Sequence, residues 1–176
     1  MKLIVGLGNY NEKYKNNRHN VGFVFIDFIV KELGLGVDFE KNSKFESLVL
    51  KTPDLILAKP LTFMNNSGRA VKRLFDYYEI DFDDFYLVYD DLDIALGEYK
   101  IVKDKPPKTH NGVWSVIESL GGSDFWHIRI GVENRDKDNR ILGEQYVLEN
   151  FLDNEKEVIR SVISKASRDL IERIHK

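Results

Sequence analysis

A short apolar run, Lys2 to Leu7, stops at Gly8 and opens into a polar stretch. That stretch holds Asn9, Arg18, His19 and Asn20 before a second apolar run begins. The first run has the length of a buried strand. The second starts near Asn20 and carries Val21, Phe23, Val24, Phe25, Ile26, Phe28, Ile29 and Val30, which reads as a helix. The polar loop therefore sits at the carboxyl end of a strand, where open α/β sheets build their sites. Gly6 and Gly8 suggest a dinucleotide-binding turn, but Asn11 stands where the third glycine of that fingerprint belongs, and nothing else supports a nicotinamide site.

Three further stretches repeat the arrangement. TFMNNSG, Thr62 to Gly68, follows the apolar segment Leu55 to Lys59 and precedes a helical pattern with Val71, Leu74, Phe75 and Tyr78. YDDLDIALG, Tyr89 to Gly97, follows the strand-like FYLVY, and THNG, Thr109 to Gly112, opens a helix carrying Val113, Val116, Ile117 and Leu120. From Asn154 the chain reads as an amphipathic helix, with Asn154 and Glu157 as its capping pair and Ile159, Ile163, Ala166, Leu170 and Ile174 on one face. Strands alternating with helices predict an α/β fold: a single domain over residues 1–176, in three layers, with a twisted mixed, largely parallel sheet flanked by helices. The four polar corners are expected to meet at one crevice.

Composition narrows the classes of function. With 43% hydrophobic and 31% charged residues the chain groups with globular proteins rather than disordered ones. The run Val21 to Val30 is interrupted by Asp27 and falls short of the ~18 residues of a membrane span, so no membrane association is expected. The opening MKLIVGLG leaves no room for a signal segment before the first strand, which predicts a cytoplasmic protein. There is no cysteine, which removes thiolate metal sites and cysteine nucleophiles. A net charge of −3 argues against a general nucleic-acid coat but not against a local basic patch. Lys100, Lys103, Lys105 and Lys108 are dense along one stretch, and Arg129, Arg135, Lys137 and Arg140 lie downstream; each reads equally well as solvated surface.

Together the corner motifs resemble the bacterial peptidyl-tRNA hydrolase family. Its pattern G-x-G-N-P-G-x-x-Y-x-x-T-R-H-N-x-G is met by Gly6, Gly8, Asn9, Tyr14, Arg18, His19, Asn20 and Gly22. TFMNNSG resembles its T-F-M-N-x-S-G, YDDLDIALG its D-[DE]-L-D stretch, THNG its G-H-N-G, and FWHIRIGV, Phe125 to Val132, part of its R-x-R-I-G-like strand. Order and spacing agree over roughly the first 150 residues. The resemblance implies hydrolysis of the ester joining a peptide to the terminal ribose of tRNA, with peptidyl-tRNA as partner. It implies no metal, no organic cofactor and no obligate protein partner, and a monomer is expected.

His19 is the candidate general base, because a neutral imidazole removes a proton from water near physiological pH. The resemblance assigns its carboxylate partner to Asp90, with Asp91 and Asp93 as nearby decoys. Asn9, Asn65 and Asn111 both donate and accept hydrogen bonds without adding charge. The resemblance gives Asn9 and Asn65 substrate placement and Asn111 a hold on the water. Met64 is expected to offer an adaptable apolar wall, and Tyr14 either to stack on the terminal adenosine or to close the loop. His110 is a rival base. Ser67 lacks the G-x-S-x-G elbow and reads as a cap, which favours direct attack by water.

Departures from the family pattern gather in two places. Tyr10, Asn11 and Asn17 replace Pro, Gly and Thr in the first loop, and Ala95-Leu96 stand where Pro is frequent. Further on, KDKPPKT, Lys103 to Thr109, replaces a Gly-rich segment, and Val102 falls where the family carries a lysine that clamps the tRNA 5′-phosphate. Lys100, Lys103 or Lys105 is expected to substitute, with Arg129 as the other half of the clamp. Two rival readings accompany the hydrolase: a noncatalytic RNA-binding protein on the same fold, resembling plant organelle splicing factors, and an unrelated small-molecule esterase.

Overall fold

The first run forms strand β1 (Lys2–Gly6), whose residues alternate between two cores: Leu3 and Val5 enter one, Ile4 the other. Burial on both faces explains why it reads as an unbroken apolar run. After a loop with two 3₁₀ turns the chain enters α1 (Val21–Glu32). Strand and helix touch where both carry glycine. A Cβ on Gly6 would lie 2.2 Å from the Gly22 carbonyl oxygen, and one on Gly22 would lie 2.5 Å from the Leu7 nitrogen. This close approach folds the polar loop back over the end of β1.

The chain continues through β2 (Glu40–Asn42), β3 (Ser47–Lys51), β4 (Leu55–Pro60), α2 (Ser67–Tyr77), β5 (Phe85–Ala95) and β6 (Tyr99–Lys103). It ends with α3 (Asn111–Leu120), β7 (Trp126–Glu133), α4 (Gly143–Val147) and α5 (Asp153–Ile174). This computed structural model describes all residues except Val37, Asn139 and Lys176. One seven-stranded sheet has the order β2-β3-β4-β1-β5-β7-β6. The inner four strands are parallel, whereas β2 and β3 at one edge and β6 at the other run antiparallel to their neighbours. One face is covered by α1 and α5 through Phe25, Ile26, Ile163 and Leu170, the other by α2 and α3 through Val71, Leu74, Val113 and Val116. This is the expected three-layer α/β fold with a mixed sheet.

Three local features differ from what the sequence suggests. The β2–β3 hairpin has no counterpart in the sequence reading, because β2 is three polar residues with none buried and β3 buries Val49 and Leu50 in succession rather than in alternation. The corner expected after Tyr89 is instead continuous strand, since Asp90 and Asp91 go on pairing with Ile130 and Gly131 of β7. The cap of α5 falls earlier than Asn154: Glu155 reaches back to accept the backbone N–H of Leu152 at 2.8 Å, and Asn154 lies inside the helix. The apolar face of α5 is as read, with Ile159, Ile163, Ala166, Leu170 and Ile174 all buried.

Candidate active site

The carboxyl ends of β1, β4 and β5 lie side by side, and with the start of α3 they line a crevice of about 760 Å³. Asn9 and His19 come from the first corner, Met64 and Asn65 from the second, Asp90 from β5, and Thr109, His110 and Asn111 from the fourth. A further wall, unforeseen in the sequence, is supplied by Leu142, Gly143, Glu144, Val147 and Leu148 in and around α4.

One 3₁₀ turn, Arg18–Asn20, aims three consecutive side chains in three directions. His19 turns to Asp90, whose carboxylate oxygens lie 2.8 and 3.0 Å from its Nδ1. Asn20 grips the backbone of Asn9, accepting its N–H at 2.9 Å and donating to its carbonyl at 3.1 Å. Asn9 in turn accepts the Met64 N–H on its side-chain oxygen at 3.0 Å, which leaves its amide N–H₂ to donate. Arg18 points away from the crevice, towards the wall.

The geometry fixes the protonation of both histidines. His110 Nδ1 accepts the Val113 N–H at 3.3 Å, so its proton sits on Nε2 and is donated to Asp90 at 3.0 Å. With both nitrogens committed, His110 has no lone pair to offer water, which removes the rival base. His19 donates from Nδ1 to the carboxylate, so Nε2 carries the free lone pair. The polar atoms of His19, Asp90 and His110 lie within 4.8 Å of one another, a grouping that also has metal-ligand composition. Here the spacings are those of hydrogen bonds, and the donors are spent on one another.

Electrostatics favours the same assignment. Burial lowers the His19 pKa, but the Asp90 charge and hydrogen bond outweigh it, and the net shift is upward from 6.5. Burial raises the pKa of Asp90, yet the two histidines bring it well below the ordinary carboxylate range. Asp90 is therefore a fixed anion beside the His19 ring. Strand alternation separates it from its neighbour: Asp91 faces the other way and accepts from Arg129 Nε at 2.6 Å. Asp93 is exposed and accepts the Lys108 N–H at 3.4 Å.

Other expected site residues lie apart from the crevice. Tyr14 sits on the 3₁₀ turn Glu12–Tyr14 with Lys13 over its ring at 4.6 Å, and it is not among the crevice residues. Lys103 is paired in register with Trp126 at the start of β7, whereas Asp90 is level with Ile130; four residues of strand separate them, about 13 Å. There Lys103 forms ion pairs with Asp83 and Asp124. Lys100 is exposed and lies directly across from Arg129, and Lys105 is exposed with its carbonyl accepting from Arg129 Nη1 at 3.3 Å. Ser67 is not the cap the sequence suggested: Asn66 holds the N-cap position, and Ser67, the first residue of α2, is fully buried and donates its hydroxyl to the Met64 carbonyl at 2.9 Å.

A base-ready imidazole backed by a buried carboxylate, among neutral amides at the carboxyl edge of a mixed α/β sheet, has the chemistry of a hydrolase that activates water. Comparison with known proteins narrows that class. The chain belongs to the peptidyl-tRNA hydrolase family, whose model matches residues 3–176. It is 37% identical over 177 residues to the peptidyl-tRNA hydrolase of Bacillus cytotoxicus, covering 100% of this chain and 94% of that one. The Mycoplasma mycoides subsp. mycoides enzyme is 36% identical over 161 residues, 91% of this chain and 86% of its own. A crystal structure of a mutant peptidyl-tRNA hydrolase from Acinetobacter baumannii superposes with a TM-score of 0.86 at 26% identity, covering 99% of this chain and 90% of that one.

Proposed function

We propose that this protein hydrolyses the ester between peptide and tRNA, with His19 as general base. The observation that carries the reading is the free Nε2 of His19, held by Nδ1 against a buried anion at the mouth of the crevice. Water gives its proton to Nε2 as its oxygen attacks the ester carbonyl. The carbonyl becomes a tetrahedral oxyanion, and Asp90 stabilises the imidazolium. Collapse expels the ribose oxygen, which takes the proton from His19, leaving a peptide carboxylic acid and free tRNA. The freed amide of Asn9, with Asn65, suits holding the substrate carbonyl, and Asn111 suits orienting the water. Met64 and the α4 wall give varied peptide side chains an apolar surface.

Lys100 and Lys105 are exposed beside Arg129, and this basic group suits the tRNA phosphates. Lys103, doubly paired at the far end of β7, is the weakest member of that set. Action as a monomer is part of the same reading. A substrate made by translation places the work in the cytoplasm. Among the described residues no helix is long and apolar enough to cross a membrane.

The test compares purified N-acetyl-aminoacyl-tRNA with the unblocked aminoacyl-tRNA, using wild type and His19→Ala. Cleavage of the blocked substrate is expected, falling about 10²–10⁴-fold in the variant. Binding without cleavage would favour the noncatalytic RNA-binding reading, and equal turnover of simple esters the small-molecule esterase.

A further inference from the structure

Arg18 stands beside the proposed base yet touches none of the chemistry. Its side chain is 2% exposed, the largest among the fully buried ones. Its Nη1 donates to the carbonyls of Tyr146 and Glu149 at 3.2 and 3.3 Å, and its Nη2 to Glu155 Oε2 at 2.7 Å. The guanidinium lies 3.9 Å over the Tyr146 ring. Its backbone N–H is donated to the Glu149 carbonyl at 3.1 Å, while the adjacent Asn17 amide donates to the carbonyl of Leu148. The carbonyls at the end of a helix have no partners within it, and a five-residue helix such as α4 cannot hold itself together in water. Arg18 and Asn17 supply those partners and place a cation at the helix's negative end.

Glu155 makes the tether a junction rather than a single pair. Its second oxygen accepts from Asn134 Nδ2 at 2.9 Å, and Oε2 also takes the Leu152 N–H, so it joins the exit of β7 to the start of α5. Between those two points runs the segment that supplies Leu142 to Leu148, the far wall of the crevice. Leu142 on that wall is 70% exposed, and Phe63 on the opposite rim is 73% exposed, apolar groups left facing an opening.

We propose that Arg18 is a positioning residue that fixes the α4 wall at a set distance from His19, and so determines how tightly the acyl portion of the substrate is held. This rests on the hydrolase reading and extends it. The turn Arg18–Asn20 thereby serves as one gauge for the whole site: His19 orients to Asp90, Asn20 sets Asn9, and Arg18 sets the wall. Removal of the tether leaves the His19–Asp90 pair untouched, because Arg18 contacts neither group.

The experiment uses the whole protein in three forms: wild type, Arg18→Lys, and the double variant Arg18→Met with Glu155→Met. The double variant replaces the buried ion pair by apolar side chains of similar length and so avoids the lone buried charge that either single apolar change would leave. KM for N-acetyl-aminoacyl-tRNA carrying a large side chain is expected to rise on the order of tenfold in the double variant. Its kcat and the acid limb of its pH profile should stay near wild type. Arg18→Lys should recover part of the loss, since an ammonium cannot serve all the acceptors of a guanidinium fork. Hydrogen exchange gives a readout independent of substrate: the Tyr146, Leu148 and Glu149 amides should exchange at least about tenfold faster while those of β1 and β5 are unchanged. Unchanged exchange in α4, or a kcat loss at constant KM, would overturn the proposal. A wild type that fails to cleave would overturn the hydrolase reading instead, with the exchange result still deciding whether Arg18 holds the wall.

Discussion

Asp90→Asn isolates the carboxylate's charge from its shape. The amide oxygen can still accept both histidine N–H groups, which converge on Oδ1 at 2.8 and 3.0 Å, so the tautomer of each ring is preserved. What disappears is the anion facing the imidazolium formed when His19 takes a proton. Two unit charges about 4 Å apart at an effective dielectric of about 20 attract by about 4 kcal/mol, which corresponds to roughly a thousandfold in rate. Asp90 is 2% exposed, so solvent does little to screen the pair. The pH profile carries a second, independent signature. In wild type the Asp90 anion holds the His19 pKa above 6.5, so kcat/KM falls as the pH drops through a value above 6.5. In the variant only the lowering effect of burial remains, and the acid limb should move below 6.5. The assay is kcat/KM for N-acetyl-aminoacyl-tRNA across the pH range in which the fold is intact. A loss of less than about tenfold, or an acid limb that stays put or moves upward, would refute the claim that Asp90 acts through charge on His19.

Two other perturbations test parts of the molecule away from the base. His127 is fully buried, with its Nδ1 2.9 Å from the Tyr89 hydroxyl and its Nε2 3.3 Å from the Ser123 carbonyl, and burial lowers its pKa to about 4. The unfolded chain takes up this proton near pH 6.5 and the folded one only near 4, so stability should fall by about 3 kcal/mol across that window. His127→Gln, which keeps one acceptor and one donor, should flatten the fall; a urea-unfolding profile with the same pH slope in both proteins would contradict it. For tRNA, Lys100→Ala and Lys105→Ala should each weaken binding and reduce the salt slope by about 1, whereas Lys103→Ala should leave the slope unchanged. Arg129→Ala is a poorer probe, because it strands the buried Asp91. Filter binding at several salt concentrations checks the order, and a Lys103 effect as large as that of Lys105 would reverse it.

The fold class and most of the crevice were legible in the chain because they rest on local signals. Apolar runs of strand length, each followed by a polar corner and a helical pattern, specify parallel strands and place Asn9, His19, Met64 and Asn65 at their carboxyl ends, while the THNG turn puts Asn111 at the start of a helix. The motifs around them pointed to the family to which the chain belongs. What stayed hidden depends on partners distant in sequence. Arg18 meets Glu155 across 137 positions, and nothing near either residue marks them as a pair. Lys103 and Lys105 look alike in the sequence. The antiparallel register of β6 sends Lys103 to the far end of β7, and the returning loop brings Lys105 beside Arg129.

The choice between His19 and His110 marks the same boundary most sharply. Both are histidines beside an asparagine at a helix start, and the sequence supplies both to the crevice. The Val113 N–H that occupies the Nδ1 lone pair of His110 is a helix cap three positions away, but only the tertiary structure brings Asp90 to both rings, so that it takes the Nε2 proton of His110 and the Nδ1 proton of His19 and leaves the Nε2 of His19 open. Periodicity and turn residues act over a few positions, so the sequence by itself determined the strands, the helices and the corners. The state of a lone pair depends on the atoms packed around it, and those are chosen by the fold.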